Sequence, residues 1–132
     1  MKKKEKGKAY STKELRDKLI KFLSELRNEC VVVEGIKDKK ALEMFGFSNV
    51  HILNKKMGHF EFSSEFSGRV LVLTDFDPEG EKIAKKLIEL LLKVGCKVER
   101  KERDKLRALF LKNKINTIEG LRKIITPKYK SI

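Results

Sequence analysis

A chain of 132 residues with 40% hydrophobic and 39% charged side chains is long enough for one domain with a core, and too apolar for disorder. No apolar run approaches the roughly 18 residues of a membrane span, and the start, Met1-Lys2-Lys3-Lys4-Glu5-Lys6, lacks an apolar signal core, so a cytoplasmic protein is expected. Net charge is +13 and unevenly placed: residues 1–10 hold five basic residues and one acid, residues 101–132 hold ten and three, and the stretch between holds 17 and 15. Cationic ends around a balanced body attract polyanions, of which RNA and DNA are the commonest in a cytosol.

Ser11-x-x-Glu14 has the pattern of a capping box, and Leu15, Leu19, Phe22, Leu23 and Leu26 recur at helical spacing, so residues 12–28 are predicted to form an amphipathic helix. Cys30-Val31-Val32-Val33-Glu34 is continuous and β-branched, as in a strand covered on both faces, and Gly35 ends it. Asp38 is placed to cap a short helix carrying Ala41, Leu42 and Phe45 and closed by Gly46. Asn49 to Leu53 reads as a second strand, residues 54–68 as a loop with room for one helical turn, and residues 69–74 as a third strand. Pro78 suits the first turn of a helix running to about Val94, with Ile83, Ala84, Leu87, Leu90 and Leu91 on its buried face and Gly95 at its end. Lys97 to Arg100 reads as a short fourth strand, followed by helices at 103–112 and 117–125, the second capped by Thr117, and a basic tail from Thr126 to Ile132. Cys30 and Cys96 belong to no Cys-x-x-Cys or Cys/His cluster, so both are expected to be buried, reduced thiols.

Strand and helix alternate with short connections, the signature of an α/β fold with a four-stranded parallel sheet and helices on both faces. An extra helix precedes it and helices follow it, dividing the chain into a basic arm and N-terminal helix (1–28), a sheet domain (29–101) and a basic helical extension (102–132). Right-handed crossovers place every strand's C-terminal end on one rim, where open α/β sheets bind ligands. Glu34, the loop after Leu53, and Asp75 to Glu79 are therefore predicted to face one crevice.

Val70-Leu71-Val72-Leu73 runs directly into Asp75, Asp77 and Glu79. Carboxylates are costly to desolvate unless something cationic meets them. Carboxylate oxygens suit Mg²⁺, which takes one or two of them and keeps several waters. Such an ion polarises a phosphoryl oxygen and lowers the pKa of bound water, and a carboxylate beside it, with Glu34 the candidate, exchanges a proton with the attacking or leaving oxygen. Asp77-Pro78 is also an ordinary helix start, with Asp77 capping and Glu79 and Glu81 favouring the helix dipole. That accounts for neither Asp75 nor Glu34, each at the end of an apolar strand.

Val32-Val33-Glu34-Gly35-Ile36-Lys37-Asp38 followed by Thr74-Asp75-Phe76-Asp77-Pro78-Glu79-Gly80-Glu81 resembles a Toprim domain, over roughly residues 29–101. That domain is shared by type IA and type II topoisomerases, bacterial-type primases, nucleases of the old family, recombination-repair proteins and the small ribonuclease that matures 5S rRNA. The resemblance implies Mg²⁺, with Mn²⁺ able to substitute, held by Asp75, Asp77 and Glu79, and Glu34 as general acid or base in making or breaking phosphodiester bonds. Asp38 and Glu81 are further candidates, Asp38 because the Glu-Gly-x-x-Asp run is closer to the primase and 5S-ribonuclease versions, and Glu81 because Gly80-Glu81 resembles the topoisomerase IA version. Lys37, Lys55, Lys56 and His59 are expected near the same rim as phosphate contacts, Lys37 first because it lies inside the motif.

Topoisomerases of the family need a nucleophilic tyrosine on another domain, and here Tyr10 and Tyr129 both lie in terminal arms. Primases need extra domains for template and nucleotides. A small Toprim unit with basic ends most resembles the ribonuclease type. The expectation is a metal-dependent nuclease acting on structured RNA with water as nucleophile, RNA favoured over DNA and ribosomal RNA or ribosomal proteins as partners. The alternatives are a non-catalytic RNA- or ribosome-binding module and a Toprim subunit of a DNA replication or repair complex.

Overall fold

A computed structural model describes residues 10–124. The basic stretch before Tyr10, the end of the helix predicted at 117–125, and the tail Thr126 to Ile132 with Tyr129 lie outside the described residues. Strands β1 (Val31–Val33), β2 (Val50–Ile52), β3 (Arg69–Val72) and β4 (Lys97–Val98) form an all-parallel sheet in the order β2-β1-β3-β4. Around it run α1 (Thr12–Leu26), α2 (Ile36–Glu43), α3 (His59–Ser63), α4 (Pro78–Lys93) and α5 (Arg100–Lys112). The α/β architecture expected from the strand–helix alternation is the one the chain forms.

Because successive side chains of a strand point to opposite faces, the apolar runs serve two cores at once. Val31, Val33, Leu71 and Leu73 pack with Leu19 and Leu23 of α1, Ala41 and Leu42 of α2, and Leu106 and Phe110 of α5. Val32, Val70 and Val72 pack on the other face with Phe62 of α3 and Ala84, Leu87 and Leu91 of α4. Each of the Val, Leu and Phe side chains contributes about 1.5–3 kcal/mol by leaving water. Ile118, Leu121 and Ile124 belong to the first core, so the segments read from sequence as N- and C-terminal extensions are packed into the same core as the sheet.

Several element boundaries follow from local hydrogen bonds. The capping box of α1 forms in full: Glu14 N–H donates to Ser11 Oγ at 3.0 Å and Ser11 N–H to Glu14 Oε1 at 2.8 Å. Asp38 does not stand before α2 as predicted. The helix starts at Ile36 after Gly35, and Asp38 reaches back from its first turn to accept Gly35 N–H at 3.1 Å. β4 stops at Val98, short of the predicted Arg100, because Glu99 N–H makes the last ladder bond to Val70 O at 2.9 Å and the chain then turns into α5. Within the 54–68 segment α3 supplies the helical turn and buries Phe62. Residues 117–120 are a turn rather than helix, with Thr117 Oγ1 accepting Gly120 N–H at 3.1 Å, and residues 121–124 are helical. Both cysteines are free; Cys96 is buried, while Cys30 is only half-buried because the strand proper begins after it. Among the described residues no helix is long and apolar enough to cross a membrane.

The central strands β1 and β3 are neighbours, yet the chain leaves them in opposite directions. From β1 it goes to β2 through α2 on the first face; from β3 it goes to β4 through α4 on the second. This topological switch opens a crevice at the C-terminal ends of β1 and β3.

Candidate functional site

β1 and β3 pair with Val32 opposite Val72. Two residues further on, this register sets Glu34 level with Thr74, beside Asp75. Glu34 Oε2 is buried and accepts no hydrogen bond among the described residues. Burial first, then the charges of Asp75, Asp38 and Asp77, push the Glu34 carboxyl above its usual range, against a smaller pull from Lys55. Asp75 is raised mainly by burial and further by Asp77 and Glu119, although its Oδ1 accepts Ile118 N–H at 2.8 Å and Arg103 opposes the rise. Asp38 is likewise raised, by burial and by Asp75 and Glu119, against its bond from Gly35 N–H and the charge of Lys55. The ends of β1 and β3 and the start of α2 thus bring Glu34, Asp38, Asp75 and Asp77 within electrostatic reach of one another.

Glu119 is an addition that sequence reasoning missed. It lies in the 117–120 turn, which is fastened to the end of β3 by the bond from Ile118 N–H and by Phe76 N–H donating to Asn116 O at 2.7 Å. No spacing in the sequence signals it, because its approach depends on where α5 returns the chain.

The remaining acids have different surroundings. Asp77 Oδ1 accepts Gly80 N–H at 2.8 Å as the N-cap of α4, the local role its position before Pro78 suggests. Glu79 is exposed on the first turn of α4. Glu81 is drawn to α5, where Arg103 Nη2 donates to it at 3.0 Å and Arg107 Nε at 2.6 Å, and these bonds pull its carboxyl below the usual range.

The turn carrying Asp75 and Asp77 is also held from α4 and α5. Gly80 packs so closely that a Cβ there would lie 2.1 Å from Asp75 O, so a side chain at this position forces the turn or α4 to move. Thr74 Oγ1 donates to Gly80 O at 2.7 Å in a buried site. Arg103, only 3% exposed, donates to Val72 O at 2.9 Å, Thr74 O at 3.0 Å and Asp75 O at 3.3 Å, with its guanidinium over the Phe76 ring. Arg103 was also missed. Its signal was present in the sequence: it falls on the stripe shared by Leu106 and Phe110, where an apolar residue is expected.

Of the basic candidates, Lys55, in the turn after β2, acts on Glu34 and Asp38. Lys37 is exposed on the first turn of α2, Lys56 is exposed with its N–H bound to Asn54 Oδ1 at 3.0 Å, and His59 begins α3.

Among the described residues no group of three or more His, Cys, Asp or Glu side chains is placed to hold a metal ion. Half-buried carboxylates that repel one another, with one buried oxygen lacking a donor, nonetheless fit a hydrated Mg²⁺, which needs only one or two of them.

A glutamate after β1 and an Asp-x-Asp after β3, facing each other at a topological switch, match the Toprim pattern. The chain belongs to the Toprim family, whose domain pattern matches residues 29–106. It is similar to the UPF0292 protein of Thermococcus onnurineus, 32% identical over 110 residues that cover 82% of this chain and 78% of that protein. The UPF0292 protein of Methanocaldococcus jannaschii is 31% identical over 113 residues, covering 80% of this chain and 88% of the relative. Among solved structures the chain resembles a putative protein from Aquifex aeolicus with a TM-score of 0.64 and 32% identity, covering 79% of this chain and 95% of that one. Membership of the family carries a metal-binding, nucleic-acid-processing role in general terms.

Proposed function

We propose that the protein is a Mg²⁺-dependent nuclease acting on structured RNA, with Mn²⁺ able to substitute. The observation that carries the reading is Glu34, whose buried Oε2 has no donor and whose charge is opposed by the neighbouring acids. A group held in that state keeps its proton more readily than an ordinary glutamate, as a general acid or base near neutral pH must. Asp75 and Asp77 hold the ion, with Glu79 assisting from the first turn of α4. When bound, the ion polarises the phosphoryl oxygen and activates water. Glu34 exchanges the proton of the attacking or leaving oxygen. Lys55 lies beside the acids and contacts a phosphate, with Lys37, Lys56 and His59 further out along the rim.

The test is incubation with structured RNAs, ribosomal RNA among them, and Mg²⁺ or Mn²⁺. Glu34→Gln is expected to lower the cleavage rate by about 10²–10⁴-fold, the usual contribution of a positioned proton-transfer group, and Asp75→Asn to lose metal dependence. Cleavage that persists in both variants sinks the assignment. A second reading, RNA binding without cleavage, is favoured by one observation: Asp75 and Asp77 each already accept a backbone N–H that holds the fold. Under that reading Asp75→Asn leaves affinity unchanged and no RNA is cut.

A further inference from the structure

We propose that the face formed by α1 and the C-terminal half of α5 is a docking track for a nucleic-acid backbone, separate from the acidic crevice. The proposal rests on the reading that nucleic acid is the partner, and it adds where the backbone lies.

A groove between these helices is lined by Lys18, Lys21, Lys105 and Lys112, with Glu25 as the one acid in its wall. It continues past Lys112 into a second stretch lined by Arg16, Lys114 and Lys123, with no acid. Tyr10 lines both stretches. Among the described residues none of these seven cations is in an ion pair, whereas Lys13, Arg69, Arg103 and Arg107 all are. Those four paired cations all lie outside the groove, which gathers seven cations around a single acid. Two aromatic rings are interleaved with them: Lys18 Nζ lies 4.8 Å from the centre of the Tyr10 ring and Lys105 Nζ 4.3 Å from that of Phe22. Unpaired cations alternating with rings suit phosphates and the bases between them.

The backbone at Lys114 is a second, independent observation. α2 and α4 end in a glycine with φ of +92° and +95°, the left-handed conformation that L side chains rarely adopt. α5 ends in the same way, with Ile115 N–H donating to Phe110 O and Lys114 N–H to Leu111 O, but the left-handed residue is Lys114, at φ +61°. Asn113 fixes this end, its Nδ2 donating to Leu15 O at 3.1 Å and to Leu109 O at 2.9 Å. A lysine where the fold alone favours glycine carries backbone strain, and its side chain lines the groove.

Residues 1–10 carry the same charge as the groove, with five lysines and one glutamate, and so do not themselves complement it. The geometry also links track to crevice. Between Lys114 and Lys123 the chain runs through Asn116 and Ile118, which bind Phe76 and Asp75. A backbone gripped by those two lysines is led toward the acids.

The experiment measures fluorescence anisotropy of a labelled hairpin RNA and of single-stranded DNA of the same sequence, across salt concentrations, with polyglutamate as competitor. It compares the wild type, a variant with Lys18, Lys21, Lys105 and Lys112 all changed to Ala, and Lys114→Gly, and follows cleavage in the same samples with Mg²⁺. The four-lysine variant is expected to bind on the order of 10²-fold more weakly and to lose about three to four from the slope of log K against log salt. Alanine on exposed helix positions keeps its fold. Lys114→Gly is expected to raise Tm by a few degrees while binding weakens and the slope falls by about one. That opposition of stability and affinity is a result a merely structural lysine does not give. Loss of affinity for RNA alone or for RNA and DNA together supports the track. Unchanged affinity and slope in both variants, or polyglutamate bound more tightly than either nucleic acid, overturns it. Cleavage that ignores these substitutions rejects the track and leaves the nuclease standing; binding that depends on them without cleavage does the reverse.

Discussion

Glu34 and Glu81 flank the turn that carries Asp75 and Asp77, and the molecule treats them in opposite ways. Glu81 has two arginines on it, and its carboxyl is pulled below the usual range. Glu34 has a buried oxygen without a donor and three carboxylates acting on it, and its carboxyl is pushed above that range. A chain with 32 basic residues has no shortage of cations to place beside an acid. Where it places them, as at Glu81, the acid holds structure. Where it supplies only the smaller pull of Lys55, as at Glu34, a buried carboxylate oxygen is left without a donor.

The largest effect is expected from breaking the paired side. Arg103→Ala strips donors from Val72 O, Thr74 O and Asp75 O and leaves Glu81 with Arg107 alone. Removing one member of a buried, charged network costs about 3–5 kcal/mol. Urea denaturation checks it, and a loss below about 1 kcal/mol contradicts the role given to Arg103. Gly80→Ala attacks the same turn from α4. With a Cβ 2.1 Å from Asp75 O the turn must shift, at a cost of about 1–3 kcal/mol. The shift also moves Asp75, so metal-dependent activity is expected to fall further than stability does. A variant that melts like the wild type and stays active removes the close approach from the argument.

How much of this contrast the sequence displayed depends on the distance over which each part is decided. The acids at the ends of apolar strands were visible because strand continuity and the period-2 pattern are local, and the parallel topology then places Glu34 and Asp75 on one rim. Asp77 and the Ser11–Glu14 capping box were visible for the same reason. Glu119 was not, and Arg103 showed only as a charge on an apolar stripe, since both act across the fold: Arg103 crosses from α5 to the carbonyls of β3, and Glu119 arrives on a turn tied to Asp75 by a single backbone N–H. The role of Asp38 was half legible. A capping role was expected with Asp38 standing before the helix; the helix instead starts at Ile36 and Asp38 accepts Gly35 N–H from within the first turn.

The unpaired side is broken by supplying or removing charge. Mg²⁺ binding to the folded protein alone is expected to stabilise it by about 1.4 kcal/mol at ten times its dissociation constant. Asp75→Asn should lose most of that gain, and Glu81→Gln should keep it while lowering stability overall. Thermal shifts with and without Mg²⁺ separate the two. Without metal at neutral pH, Glu34→Gln is expected to raise stability, by at most about 1 kcal/mol since the group is partly solvated. A lower Tm in Glu34→Gln means that Glu34 has a partner and that the contrast with Glu81 is false.

The smallest effect is a slope with pH, and its sign differs between the two regions. Glu34, Asp38 and Asp75 hold their protons more tightly in the folded protein than in the unfolded chain. Their contribution to stability is complete below the ordinary carboxylate range and is lost as pH rises through their raised folded values. Glu81 releases its proton more readily when folded, so its contribution is present above the ordinary range and is lost as pH falls through its lowered value. Urea midpoints measured without metal from about pH 3 to about pH 8 should therefore fall at the acid end because of Glu81, and decline above the ordinary range because of the crevice. Glu81→Gln should flatten the first limb and Glu34→Gln the second. Saturating Mg²⁺ should flatten the second limb and leave the first alone, since the ion competes with protons at the crevice and meets no free carboxylate at Glu81. A second limb that Mg²⁺ leaves unchanged would mean that the raised acids are not the ones that meet the metal.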